Sequence, residues 1–461
     1  MLRILKFGGT SMGTAQAIAQ SARIAARAAP HQTRSASMRG QAVVIVSAMA
    51  GVTNELIALM DLAVHERTEA VQARVRALEE RHHAVWNAFV DEATGRESWD
   101  EQMAPLFEKL RLLLTGTSLV GDISDRSYAL ICAFGERFSS RIMQRALSRE
   151  RCRCAMMDAG ELIVTDAQYR EAAVDFPASQ RRFRSKIRPM LRRGIVPVLP
   201  GFIGAEPSGH TTLLGRGGSD YSASIAGICL HADVVEIWTD VDGIMSADPR
   251  LVKRGVRTWR KVELAAMSEM AHSGVKVLHP KTVTAAVQKK IPVIVKNTFR
   301  PSAPGTVIVP TASARPQLRG IVTQAGQVLF HFTEPGMLAS SGFIQRLSSI
   351  FARHGVPIDV CATSEISFTC SIDGKDFRAG ILHELEEIAD VTIRRNMTKV
   401  CVIGNRIAAD LRVLHRIART LGAMPVYTVS VGSSTDNITL MVDERDASRA
   451  LQILHRSLFP S

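Results

Sequence analysis

The chain has 461 residues, 46% of them apolar and 22% charged, with a formal net charge of +13. That balance suits a globular chain of two or three domains and excludes a disordered one. No apolar run reaches the roughly 18 residues of a membrane span, and Met1 leads directly into a strand, which predicts no cleavable leader. The seven cysteines include no C-x-x-C. Cys152 and Cys154 form a lone C-x-C without a second pair to complete a zinc site, so free thiols and a cytoplasmic location are expected. Most of the positive excess falls within the first 310 residues, notably in "SRIMQRALSRERCR" (140–153) and "QRRFRSKIRPMLRRG" (180–194). Both stretches read as solvated helix faces rather than as a nucleic-acid surface.

In chain order, the first informative stretch is "RILKFGGTSMG" (3–13), a strand carrying one lysine that breaks into two glycines, a threonine and a serine. Gly8 and Gly9 let backbone amides approach an anion, Thr10 and Ser11 are placed to cap a following helix, and Lys6 adds a full charge. The stretch is neither a Walker A loop nor a dinucleotide fingerprint. The β-branched runs "AVVIVSA" (42–48), "GIVPVLPGFIG" (194–204), "ADVVEIWTDV" (232–241) and "IPVIVKN" (291–297) are apolar throughout, as central parallel strands are. Helical stretches such as 54–90 and 127–150 lie between them, and the adjacent His82 and His83 read as exposed helix surface. The expected fold is α/β: a doubly wound, mostly parallel sheet with helices on both faces.

Two later stretches join the first. "LLGRGGSDYSASIAG" (213–227) sets three glycines around Arg216, then Ser219 and Asp220 where a helix begins. The arginine fork suits a carboxylate, and Asp220 can accept from an ammonium or position Lys6. "EIWTDVDGIMSADPR" (236–250) ends a strand in Thr239 and Asp240 and turns toward Arg250. Ligands of open α/β sheets sit beyond the carboxyl ends of the strands, and all three stretches fall there.

"RPSAPGTVIVPTASARPQ" (300–317) reads as a boundary. Beyond it, the segment from "QVLFHF" onward runs strand, turn, helix, strand, turn, strand, and the segment from "KVCVIGN" repeats that order. Two copies of one small βαββ unit are expected. The predicted division is 1–310, 311–395 and 396–461.

The motifs "KFGGTS", "SAMAGVTNEL", "FGERFSSR", "GFIG", "TTLLGRGGSDYSA", "WTDVDGIMSADPR" and "GVKVLHP" together resemble the aspartokinases of the amino acid kinase superfamily, and the tail resembles their paired ferredoxin-like ACT regulatory domains. The resemblance implies ATP- and Mg2+-dependent phosphorylation of the side-chain carboxylate of L-aspartate, the first step toward lysine, threonine and methionine. It implies that Lys6 bridges the transferring phosphoryl group, that Asp220 organises it, and that Gly8 and Gly9 line the phosphates. Thr53, Glu136, Arg216 and Ser219 correspond to the aspartate pocket, with Arg216 on the α-carboxylate and Glu136 on the α-ammonium. Thr239, Asp240, Met245, Arg250 and Lys276 correspond to nucleotide contacts, with Met245 where an aromatic often lies along the adenine.

In the tail, "MLASSGF" (337–343) and "PIDVCATSE" (357–365) resemble the effector loop of lysine-sensitive members. Met337, Ser340, Gly342, Phe343, Ile344, Asp359, Ser364 and Glu365 are the matching positions, so lysine is the expected effector, with threonine or none as rivals. The resemblance also implies a homodimer or dimer of dimers formed through the ACT units, and it allows one ACT unit to be nested within the other across a soft boundary near residue 395. Two other classes of function remain open on the residues alone. One is a carboxylate kinase with a different acceptor; the other is a catalytically silent amino-acid sensor.

Overall fold

The computed structural model describes residues 1–29, 40–65, 68–90, 98–274, 280–310, 316–334 and 342–460. The chain forms two units: Met1–Ile244 with Val277–Pro310, and Met245–Lys276 with Thr311–Ser461. Residues 245–276, which the sequence assigns to the first domain, therefore cluster with the second unit.

From the N-terminus come β1 (Leu2–Phe7), α1 (Ala15–Ala28), β2 (Gln41–Val46), α2 (Val52–His65), α3 (Thr68–Asn87), α4 (Trp99–Gln102), α5 (Ala104–Val120), α6 (Asp125–Cys132) and α7 (Phe134–Arg149). There follow β3 (Cys154–Met156), α8 (Phe176–Arg192), β4 (Val196–Pro200), β5 (Ile203–Ala205), β6 (Thr211–Leu213), α9 (Gly218–Leu230) and β7 (Val234–Thr239). Next are β8 (Lys261–Glu263), α10 (Leu264–His272), α11 (Pro280–Gln288), β9 (Val293–Asn297) and β10 (Thr306–Val309). The remainder forms β11 (Gln317–Thr333), α12 (Phe343–Arg353), β12 (Val360–Thr363), β13 (Ser367–Asp373), α13 (Ala379–Glu386), β14 (Asp390–Asn405), α14 (Leu411–Leu421), β15 (Thr428–Val431), β16 (Asn437–Asp443) and α15 (Glu444–Leu458).

In the first unit the strands lie in the order β3-β4-β2-β1-β7-β9-β10. All neighbours are parallel except β9 and β10. This is the doubly wound sheet expected from the apolar runs. The chain winds outward from β1 in both directions, so the crevice beyond the carboxyl end of β1 is the topological switch point. Lys6 lies one residue short of that end, in register with Ile45 of β2 and Ile237 of β7.

Four local expectations are corrected. Helix α1 is capped by Thr14, whose side chain accepts from Ala17 N–H at 3.2 Å, not by Thr10 or Ser11. Ser11 instead reaches the Trp238 carbonyl at 3.2 Å and Thr298 Oγ1 at 2.7 Å, which pins the loop to the sheet. The 127–150 stretch is two helices meeting at Ala133, and the boundary stretch from 300 contains β10. His82 is fully buried, with its ring against Phe107 and Phe138 at 5.6 and 5.0 Å. Burial pushes its pKa down to about 4, so it packs as a neutral aromatic, while His83 stays exposed.

In the second unit the sheet order is β12-β13-β11-β14-β16-β15. Strands β11 and β14 are each long enough to serve two cores. The later half of β11, α12, β12, β13, α13 and the early half of β14 form one βαββαβ unit around Phe330, Phe332, Leu347, Phe351 and Ile381. The later half of β14, α14, β15, β16 and α15 form the other around Val400, Val402, Leu440 and Leu454. Its fourth strand is the early half of β11, so one ferredoxin-like unit is inserted in the other. The cut predicted at 395 falls inside β14, and the first residues of the 311–395 segment belong to the second core. Segment 245–276 is fastened to this unit by the buried Glu263–Arg319 ion pair (Oε2 to Nε 2.7 Å) and by Ser246 Oγ to His455 Nε2 at 2.9 Å.

Candidate active site

At the carboxyl end of β1, Lys6 Nζ stands 2.7 Å from Asp220 Oδ1, with both side chains about nine-tenths buried. Two separate pieces of sequence make that pair: β1 delivers the lysine, and the first turn of α9 delivers the acid. Gly217 permits the turn, since it caps α9 at φ +73°, a conformation that a side chain would strain. Gly8 spends its N–H on the Trp238 carbonyl at 3.0 Å, leaving Gly9 as the glycine of this loop that faces the open space.

That space is a cavity of about 550 Å³ lined by Lys6, Gly9, Thr53, Glu136, Arg216, Ser219 and Asp220. The loop after β2 and the start of α2 form one wall through Ser47, Ala48, Met49, Gly51 and Thr53. Glu136, in the first turn of α7, is buried, and its Oε2 has no hydrogen-bond partner. Burial raises its pKa to about 8, against the pull of the Ala48 N–H, its own N–H and the Lys6 charge. Arg216 is exposed at the rim, and among the described residues it forms no ion pair. Ser219 is buried beside Asp220.

The cavity also holds residues that the sequence does not single out. Tyr128 of α6 and Arg170 stack as a cation–π pair, with the guanidinium carbon 4.2 Å from the ring centroid, and Arg170 Nε meets Asp125 Oδ1 at 2.7 Å. Both line the cavity, as do Glu171 and Phe202. Phe202 sits in the "GFIG" stretch that follows β4, but no glycine loop or strand end marks Tyr128, Arg170 or Glu171, so only the fold brings those three in.

Among the described residues, the remaining candidates do not line this cavity. Thr239 closes β7 and donates to its neighbour Asp240 (Oγ1 to Oδ1 3.1 Å). Met245 and Arg250 lie in the second unit. There Met245 bridges to Thr258, and Arg250 is held by Asp248 (Nη2 to Oδ2 2.7 Å), which keeps the Asp248 carboxyl below its usual range. Lys276 lies outside the described residues, as do Met337 and Ser340. In the second unit Gly342 caps α12 at φ +100°, Phe343 is buried in a core, and Ile344 beside it is exposed. Ser364 Oγ meets Ser367 Oγ at 2.7 Å, and Glu365 is exposed. Asp359 is paired with Lys399 of β14.

The geometry is a cation–carboxylate pair over bare main chain, beside a pocket with a buried carboxylate that keeps one oxygen unpartnered and an available guanidinium. Such a site can hold an anion and a small zwitterion together. Over residues 1–297 the chain matches the amino acid kinase family. It is 30% identical to the lysine-sensitive aspartokinase 3 of Escherichia coli, and the alignment covers 99% of each protein. E. coli aspartokinase III solved with lysine and aspartate superposes with a TM-score of 0.83 at 29% identity, covering 99% of both chains. The same enzyme solved with aspartate and ADP gives 0.81 at 29% identity, with both chains fully covered. The chain belongs to the amino acid kinase family and, within it, to the aspartokinases.

Proposed function

We propose that this chain transfers the γ-phosphoryl group of ATP to the side-chain carboxylate of L-aspartate, giving 4-phospho-L-aspartate and ADP. The observation that carries the reading is the convergence of Lys6, Asp220, Glu136, Thr53, Arg216 and Ser219 on one cavity. A side-chain carboxylate with a pKa of about 3.9 is ionised at neutral pH, so it attacks the γ-phosphorus without a general base. The site's task is to hold two anions in line and to neutralise charge on the phosphoryl oxygens. Lys6, kept in place by Asp220, meets that charge, and the Gly9 loop lets main chain approach it. Arg216 takes the α-carboxylate of the acceptor and Glu136 its α-ammonium. Thr239 and Asp240, at the end of the neighbouring β7, are assigned to the nucleotide.

Mg2+ fits this donor set as an ion carried by the nucleotide. Among the described residues no cluster of three His, Cys, Asp or Glu side chains could cage a metal. Mg2+ commonly keeps phosphate oxygens and water with only one or two carboxylates, and Asp220 is the acid beside Lys6 that would contribute. When bound, the ion withdraws charge from the phosphoryl oxygens. The second unit is assigned an amino-acid effector, lysine, through Gly342, Phe343, Ile344, Asp359, Ser364 and Glu365, and homodimerisation through its ACT-type sheets. The cytoplasm is the assigned location.

The test is ADP release with hydroxylamine trapping of the acyl phosphate, using L-aspartate, L-glutamate and N-acetyl-aspartate in parallel. Turnover specific to free L-aspartate is expected; turnover only with the N-acylated acid overturns the reading, because Glu136 would then have no ammonium to meet. Lys6→Ala is expected to lower kcat by at least about a hundredfold. Near-normal turnover would remove the lysine's role.

A further inference from the structure

Lys399 lies in β14, in register with Gln324 of β11 on one side and Met441 of β16 on the other. Its side chain is only 4% exposed. An ammonium in such a place needs a partner, and it has one in the Asp359 carboxylate at the threshold of β12. The apolar part of this face is made by Leu329, Met397 and Met441. Its polar part is incompletely satisfied, since Gln327 is fully buried with both amide atoms unpartnered, and Gln324 Oε1 is unpartnered too. Asp359 is approached from two sides: Lys399 reaches it from the interior, while about a third of its side chain (35%) faces solvent.

We propose that Lys399 is a built-in occupant of the effector site. Its ammonium sits on Asp359, one of the two carboxylates (with Glu365) that can receive the cationic side chain of free lysine, so lysine engages Asp359 only by displacing it or by sharing that carboxylate against a like charge. The inference rests on the assignment of Asp359 to the effector site made above. Two ammonium groups at one partly desolvated carboxylate repel each other, and the one tethered to β14 has the entropic advantage. A ligand of the same length without the terminal charge meets no such competition. Lys399 thereby sets the lysine concentration at which the enzyme responds.

The test compares the full chain with Lys399→Met, which keeps a long flexible side chain among Met397 and Met441, and with Lys399→Arg, which keeps the charge. Calorimetric binding of L-lysine and of L-norleucine is measured, together with half-inhibition by lysine relative to each variant's own uninhibited rate. Lys399→Met is expected to tighten lysine binding by at least about tenfold. Norleucine binding should stay where it was, and Lys399→Arg should behave as the parent chain does. The gain should vanish in Lys399→Met/Asp359→Asn, and Lys399→Gln replaces the methionine variant if that one does not fold. Equal lysine affinities for the parent and Lys399→Met overturn the inference and leave the effector assignment standing. No lysine binding to either protein overturns the assignment, and the inference with it.

Discussion

Glu136 is ionised only at a cost until a cation arrives, because full burial has left one carboxylate oxygen with no hydrogen bond. Its pKa is raised to about 8 from 4.5. Below pH 8 the free enzyme therefore holds a proton that must leave before an ammonium can pair with the carboxylate. The KM for aspartate is expected to fall by about tenfold per pH unit between roughly pH 6 and 8, then to level off. Steady-state kinetics across that range check it; Glu136→Gln should show a higher KM that does not follow this slope, and a pH-independent KM in the parent chain would remove the pairing. The same group makes stability fall as pH rises from about 4.5 to about 8, since the folded chain keeps a proton there that the unfolded chain has lost. The Lys6–Asp220 pair is legible in the sequence because Lys6, near the end of β1, and Asp220, in the first turn of α9, each adjoin a glycine-rich strand-to-helix loop. The burial that tunes Glu136 is not legible, because it depends on the Ala48 loop and on packing around α7 from distant parts of the chain.

Elements, rather than single residues, decide whether the cavity exists. The end of β4 and the start of α9 must touch for Ser219 and Asp220 to face Lys6, and Gly201 is the point of contact. A Cβ at Gly201 would stand 2.7 Å from Ser219 Cβ and 2.9 Å from Ser219 Cα, so backbone rather than a flexible tip would have to move. Gly201→Ala is therefore expected to cost about 1–3 kcal/mol and to lower kcat/KM by displacing the first turn of α9. Thermal denaturation and aspartate kinetics measure the two effects. A variant with parental kcat/KM would show that this approach does not position the site. The sequence exposes the doubly wound sheet because central parallel strands are apolar on both faces and stand out as continuous runs. It misplaces the α1 cap, because Thr10 and Ser11 look equivalent to Thr14 until Ser11 is drawn to the Trp238 carbonyl by the neighbouring strand.

Across the molecule, the two repeated βαββ stretches are visible as a repeat, while their nesting is raised only by the family resemblance and not by the repeat itself. A repeat in sequence says that two similar units exist. Only pairing shows that the early half of β11 completes the later unit, from Leu318 opposite Gly404 to Gln324 opposite Lys399. The same limit hides the affiliation of 245–276, whose anchors at Arg319 and His455 are remote in sequence. The nesting has a thermodynamic consequence. Both cores hang on β11 and β14, so neither can lose its sheet without disturbing the strands of the other. Phe330, fully buried against Phe332, Phe351 and Phe377, belongs to the first core alone. Truncating it to alanine should cost about 3–5 kcal/mol. Amide hydrogen exchange should then rise not only along β13, which pairs directly with that half of β11, but also along β16 in the other core. Two independently stable units would instead leave β16 fully protected, and the shared strands would be joints between domains rather than the common frame of both.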